Sequence, residues 1–225
     1  MKKTKIIFLL DIVFTPIILI ILTIFNIPFL PLVITVLLLL SIVPFVITFE
    51  RKDRGLSKIV GIVVMASLAI AARWFFVIIP NFKPTYAIII ITGMVFGKNA
   101  GYMTGVLTAL VSNMVLGQGA WTPWQMVAWG IMGYIAGIRF KPYKERNVIL
   151  SCILGFILPF LAGWFMNLQY TIMYIHPFSI FGYIGSCVTS LGFDLANAIS
   201  TTIFLGILLY LWEKKLTRLR ERFDL

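Results

Sequence analysis

Histidine, cysteine and acidic residues are scarce in this chain, and each scarcity removes a class of function. Among 225 residues there are one histidine, His176, two cysteines, Cys152 and Cys187, and eight acidic side chains. A single histidine without H-E-x-x-H leaves too few donors for a metal centre built by the protein. The apolar segments hold no paired carboxylates for acid–base work, and no G-x-S-x-G turn presents a nucleophile. The cysteines lie in or beside apolar runs without C-x-x-C, so they read as small buried hydrophobes. No catalytic residue, metal or catalytic cofactor is expected.

What is abundant is hydrophobic sequence. Sixty per cent of the residues are hydrophobic and 12% are charged, too much apolar surface to hide in one soluble core, so the chain reads as an integral membrane protein. Its formal net charge of +11 suggests nucleic acid at first sight. The basic residues instead fall in short clusters between apolar runs, a membrane-topology pattern. The start, MKKTKIIFLL, imitates a signal peptide, but Asp11 interrupts the run and no small-x-small site follows; it is expected to remain as a first membrane segment.

On a ruler of roughly 20 apolar residues per span, the chain divides at about 6–25, 29–48, 58–79, 84–96, 101–117, 123–138, 148–170 and 186–212. The fourth and fifth segments are short, flank the turn Gly97-Lys98-Asn99-Ala100-Gly101, and fit either two tilted spans or a re-entrant pair. On this division all of the 19 basic residues except Arg73 and Lys83 fall on one side, which places both termini in the cytoplasm. The linker Glu50-Arg51-Lys52-Asp53-Arg54 separates an accessory two-helix hairpin, 1–50, from a six-segment domain, 51–225. The expected fold is thus an all-α, multi-pass six-helix bundle preceded by a hairpin. No sequence repeat supports an inverted-repeat transporter.

Several motifs have two readings. Gly93-Met94-Val95-Phe96-Gly97-Lys98-Asn99 imitates a P-loop, but three residues rather than four separate the glycines and Asn follows the lysine, so it cannot cradle phosphates and Mg²⁺ in that way. Any ATP must be bound by another polypeptide. The stripe Gly93, Gly97, Gly101, Gly105, Ala109, Asn113, Gly117 and the set Gly130, Gly133, Gly137 read as close helix packing. Thr122-Pro123-Trp124-Gln125 fits a capping box, with Trp121 and Met126 as its staple. That leaves Trp124, Gln118 and the turn Gly117-Gln118-Gly119 for ligand contact, with Asn113 adding an amide from about one turn below.

Arg73 and Asp194 are ionisable groups inside apolar segments, roughly 9 and 12 Å below the outer ends at 1.5 Å per residue, and are expected to pair across the bundle. Asn197 lies one turn on. Trp164, Asn167, Tyr170, Tyr174 and His176, with Asn81 and Phe82 in Pro80-Asn81-Phe82-Lys83-Pro84, are either an interfacial aromatic belt or ligand contacts. Convergence of the outer loops favours a pocket. An intramembrane lipid-modifying enzyme would need a catalytic constellation, and a purely structural subunit would not need a polar outer pocket.

Residues 80–84, 97–105, Ser112-Asn113 and the block from Gly117 to Met126 together resemble the substrate-binding S components of energy-coupling-factor (ECF) vitamin transporters, over about residues 57–212 and most closely the cobalamin-uptake subgroup. The resemblance implies a six-helix subunit of a bacterial plasma membrane. It would capture a vitamin, cobalamin or another vitamin or cofactor precursor, and join a transmembrane coupling subunit with two cytoplasmic ATPases. The implied ligand contacts are Asn81, Phe82, Asn113, Gln118, Trp121, Trp124, Gln125, Trp164, Tyr170 and His176. The implied coupling face is a small-xxx-small pair on the first core helix, sought among Ala66, Ser67, Ile70 and Ala71, where Ser67-xxx-Ala71 fits better than Ala66-xxx-Ile70.

Overall fold

The computed structural model describes residues 14–21, 23–24, 55–138 and 147–223. Their regular structure is entirely helical: α1 Gly55–Phe75, α2 Thr85–Phe96, α3 Lys98–Leu116, α4 Trp121–Ile138, α5 Val148–Tyr174, α6 Ile180–Leu211 and α7 Glu213–Phe223. Residues 14–21 and 23–24 are helical too, and Leu19 belongs to the main core cluster. The rest of the expected 1–50 hairpin and the linker 51–54 lie outside the described residues.

The organising element is α2, only 12 residues long. Its sequence TYAIIIITGMVF is apolar on every face, the mark of a helix surrounded by protein. Thr85 and Ala87 to Val95 are all buried, with α1, α3, α4 and α6 packed around them. α5 and α6 are long and apolar enough to cross a membrane, with α1 and α2 as shorter apolar helices. The fourth and fifth segments form two separate helices, as both a pair of short spans and a re-entrant pair would. They meet at Gly97, whose φ of 96° suits glycine.

Glycines set the spacing of α2, α3 and α4. A Cβ at Gly93 or Gly101 would overlap the Gly133 carbonyl, one at Gly105 the Trp129 carbonyl, and one at Gly137 the Lys98 backbone. The stripe is therefore a three-helix contact of backbone on backbone, as close packing requires. At the opposite edge α5 and α6 form a hairpin joined by polar side chains. Asn167 Nδ2 donates to Ser190 Oγ (2.7 Å), Ser190 Oγ donates to Asp194 Oδ2 (2.8 Å), and Thr171 shares a proton with Ser186 (3.2 Å). Helix starts are capped by Asn147, which accepts from Leu150 N, and by Ser179, which accepts from Gly182 N.

Helix lengths are unequal, and that inequality makes the site. At 1.5 Å per residue α2 is about 18 Å long and α6 about 48 Å. Loop 76–84 therefore meets α6 midway rather than at its start. Asn197 Nδ2 donates to Asn81 Oδ1 (3.1 Å), Ser200 Oγ donates to the Lys83 carbonyl (3.1 Å), and the Phe82 and Phe76 rings lie 5.6 and 5.5 Å from that of Phe204. Residues 180–196 of α6, about 26 Å of helix, continue past this contact. Within a bilayer, irregular backbone persists only where protein buries it or water lines it.

Candidate functional site

A buried polar network lies beside this inward-reaching loop. Arg73, in the last turn of α1, donates through Nη1 to Ser112 Oγ and to Asn113 Oδ1, the latter at 2.7 Å. Its guanidinium covers the Trp129 ring at 5.0 Å, and Tyr86 meets Trp129 edge-on at 5.2 Å. The Asn113 amide then donates to Thr122 Oγ1 (3.0 Å) and Gln125 Oε1 (2.7 Å). One side chain thus links the ends of α1, α3 and α4, with its oxygen and both amide protons in use.

These partners correct the local reading of the α3–α4 turn. The helix begins at Trp121, Thr122 N donates to the Gly119 carbonyl (3.0 Å), and Gly119 N donates to Thr122 Oγ1 (3.3 Å). Gln125 turns to Asn113 instead of closing a capping box, because the Thr122 N–H that the box would use is already given to the Gly119 carbonyl. Asn113 and Gln125 are therefore structural members of the network. Trp124 has no exposure and packs on Phe165 at 5.0 Å, with no partner for its indole N–H among the described residues, so it is core rather than surface. Gln118 is exposed and donates to the Leu110 carbonyl (3.2 Å). Trp121 is 42% exposed and lays its ring over Gly119, where a Cβ would collide with it.

The expected Arg73–Asp194 pair gives way to separate partnerships. Arg73 takes neutral acceptors on α3. The Asp194 carboxylate accepts from Ser190 and lies against Gly163, whose missing side chain makes room for it. Asn197 bonds Asn81 rather than joining Asp194. The structure brings Asn81 and Phe82 onto α6 as part of the inner loop. It leaves Trp164 43% exposed beside Phe160, Tyr170 exposed and stacked on Tyr174 at 5.3 Å, and His176 exposed with Nε2 3.2 Å from the Met173 carbonyl. Among the described residues no contact ties those three to the Arg73–Asn113 network.

Tyr86 and Trp129 are network neighbours that stand in none of the sequence motifs, while Lys83 and Ser112 stand in theirs beside the residues singled out for ligand contact. Lys83 has one usable signal: it and Arg73 are the two basic residues that stand apart from the basic clusters between apolar runs. Its amine is pushed down to about 8, by burial first and then by the positive charge of Arg73. An apolar crevice of about 160 Å³ also opens between α4 and α5, lined by Ile131, Ile135, Leu158, Leu161 and Phe165 among others. It offers no polar group to orient a ligand.

Helix α1, where the coupling face is expected, has two unlike faces. Ala66 is buried in the core and Ile70 half-buried, while Ser67 is exposed among Val60, Val63, Val64, Leu68 and Trp74, with Ala71 next along at the edge of the same face. Ala66 is thus covered by the bundle, while Ser67 lies on its surface with Ala71 at the edge of that face.

No solved structure matches this chain. A family model described as ECF-type riboflavin transporter, S component, matches residues 55–215, from the first residue of α1 into α7. That span takes in the inner loop, the polar network and the α5–α6 hairpin, and by it the chain belongs to the ECF-type riboflavin transporter S component family.

Proposed function

We propose that this S component captures riboflavin, or a compound with a closely related ring system, from outside a bacterial cell. It then delivers the ligand across the plasma membrane through a coupling subunit and two ATPases that consume ATP. The observation that carries the reading is loop 76–84, anchored midway along α6 beside the Arg73 network. Polar, irregular backbone at that depth has a purpose if it lines a wetted cavity. Aromatic faces near it, Phe82 above all, suit a flat ring, and loop amides suit its polar edge.

Cobalamin is the leading vitamin by sequence resemblance, and the family description favours its alternative, a different vitamin. The block 113–126, the most specific part of that resemblance, folds largely into the interior through Asn113, Thr122, Trp124 and Gln125. It therefore says little about ligand identity. The coupling subunit is assigned to the outward face of α1 that carries Ser67 and Ala71.

Titration of detergent-purified protein with riboflavin, followed by quenching of flavin fluorescence, tests the capture reading, with cyanocobalamin followed by absorbance after gel filtration. Saturable riboflavin binding and no retained corrinoid is the expected result. Retention of corrinoid without flavin binding would restore cobalamin.

A further inference from the structure

The exposed side of α6 changes chemistry within one helical turn. Ile199, Ile203, Ile207 and Leu211 follow one another four residues apart, each close to half exposed, and Tyr210 beside them is 87% exposed. The next positions in these two rows are Lys215 and Lys214, with Arg218 one turn after Lys214, and all three are exposed. Trp212 joins α6 to α7 without breaking the phase, since its dihedrals stay near helical, its N–H donates to the Leu208 carbonyl (2.8 Å) and its carbonyl accepts from Leu216 N (2.8 Å). An apolar row therefore runs straight into a basic one.

Depth in the membrane follows from the same stretch. Residues 195–212 carry no charge, and at 1.5 Å per residue they span about 27 Å, against ~30 Å for a hydrocarbon core. Trp212 then marks the boundary, as interfacial aromatics do. Lys214, Lys215 and Arg218 stand within about 9 Å of it along the helix, at headgroup level. Topology bias asks for cations on this side of the membrane but not for a fixed place. Here the place is fixed, because Trp212 and Leu216 pack against the core, α7 touches α2, and the basic row is left facing outward. Of the two acidic residues among the five basic ones of α7, Glu213 is buried and Glu221 lies three residues past Arg218.

We propose that the α6–α7 junction binds an anionic phospholipid, with an acyl chain along Ile203, Ile207 and Leu211 and the phosphate on Lys214, Lys215 and Arg218. A cluster of cations at the membrane exit of a helix attracts acidic headgroups, and charge-assisted bonds to phosphate hold them. An acidic protein would match the charges but not the apolar row, which lies at hydrocarbon depth. The site is separate from vitamin capture and independent of which vitamin is carried.

The test is native mass spectrometry of the full chain released from detergent micelles that hold equal amounts of phosphatidylglycerol and phosphatidylcholine. It compares wild type with K214Q/K215Q/R218Q, with the charge-preserving K214R/K215R, and with R139Q/K141Q/K144Q, which removes equal charge from another basic cluster. Attraction near a membrane surface is about fivefold per basic residue, so wild type should retain the anionic lipid at least about fivefold better. The ratio should fall near one in K214Q/K215Q/R218Q and persist in the other two variants. Equal retention of both lipids by wild type would overturn the site. So would a preference that survives K214Q/K215Q/R218Q, or one that R139Q/K141Q/K144Q loses equally. Should the triple substitution prevent folding, Lys215→Gln alone is compared, and an unchanged ratio overturns the site. Phosphatidylglycerol should also raise the melting temperature of wild type more than that of the α7 variant. Inorganic phosphate producing the same rise would assign the basic row to free phosphate and overturn the lipid assignment.

Discussion

Replacing Asn113 by leucine keeps a buried side chain of similar size and removes every bond that the amide makes. The Arg73 bond at 2.7 Å is charge-assisted, worth about 1.5–3 kcal/mol. The bonds to Thr122 at 3.0 Å and Gln125 at 2.7 Å are neutral and intramembrane, about 0.6 kcal/mol each. The sum is about 3 to 4 kcal/mol, and at about 2–4 °C per kcal/mol for a domain of this size the melting temperature should fall by roughly 10 °C. Asn113→Asp should lose less, because a carboxylate still accepts from Arg73 while the two donated bonds disappear. The assay is thermal unfolding of detergent-solubilised protein by fluorescence-detected gel filtration, alongside vitamin affinity. An Asn113→Leu protein as stable as wild type that no longer binds vitamin would refute the reasoning, because it would make the amide a ligand contact and not a structural tie.

Trp124→Phe should retain the contact with Phe165 and remove an indole N–H that has no partner, so affinity and melting temperature should both stay near wild type; a collapse of affinity alone would show that the N–H binds ligand. Gly133→Ala forces a methyl into the Gly101 carbonyl and should cost about 1–3 kcal/mol or more, whereas Gly185→Ala enters open space and should be harmless by the same thermal assay. Ser67→Trp should leave vitamin binding in detergent unchanged and reduce co-purification with the coupling subunit. Equal recovery of that subunit would move the contact off this face.

Much of the fold is legible in hydropathy and punctuation. The long runs mark α5 and α6, the two halves of a glycine-rich stretch are separated at Gly97, and the glycine spacing announces close helices. The central place of α2 is not legible from length, since 12 residues fall short of a span; its uniformly apolar sequence is the better signal. The site is harder. Thr122 and Gln125 obey a local capping rule in sequence, yet their partner is Asn113 on another helix, 9 and 12 residues away. Local rules cannot weigh a partner that only packing supplies. The Arg73–Asp194 expectation fails for a related reason: counting residues gives depth, but the rotation of α6 about its axis is decided by Ser190 and Gly163.

The glycine contact at the centre of the bundle bears on how such a protein can move. Flexible side chains let helices slide past one another by changing rotamers, but α2, α3 and α4 touch through carbonyls and Cα atoms, which have no rotamers to change. These three helices are therefore expected to move together rather than to slide past one another. If the capture reading holds, motion that admits a ligand is expected first in the pieces that α6 side chains anchor: loop 76–84, pinned by Asn197, Ser200 and Phe204, and the α5–α6 hairpin. The door and the wall are thus written in different chemistry, backbone for what stays and hydrogen-bonded side chains for what opens.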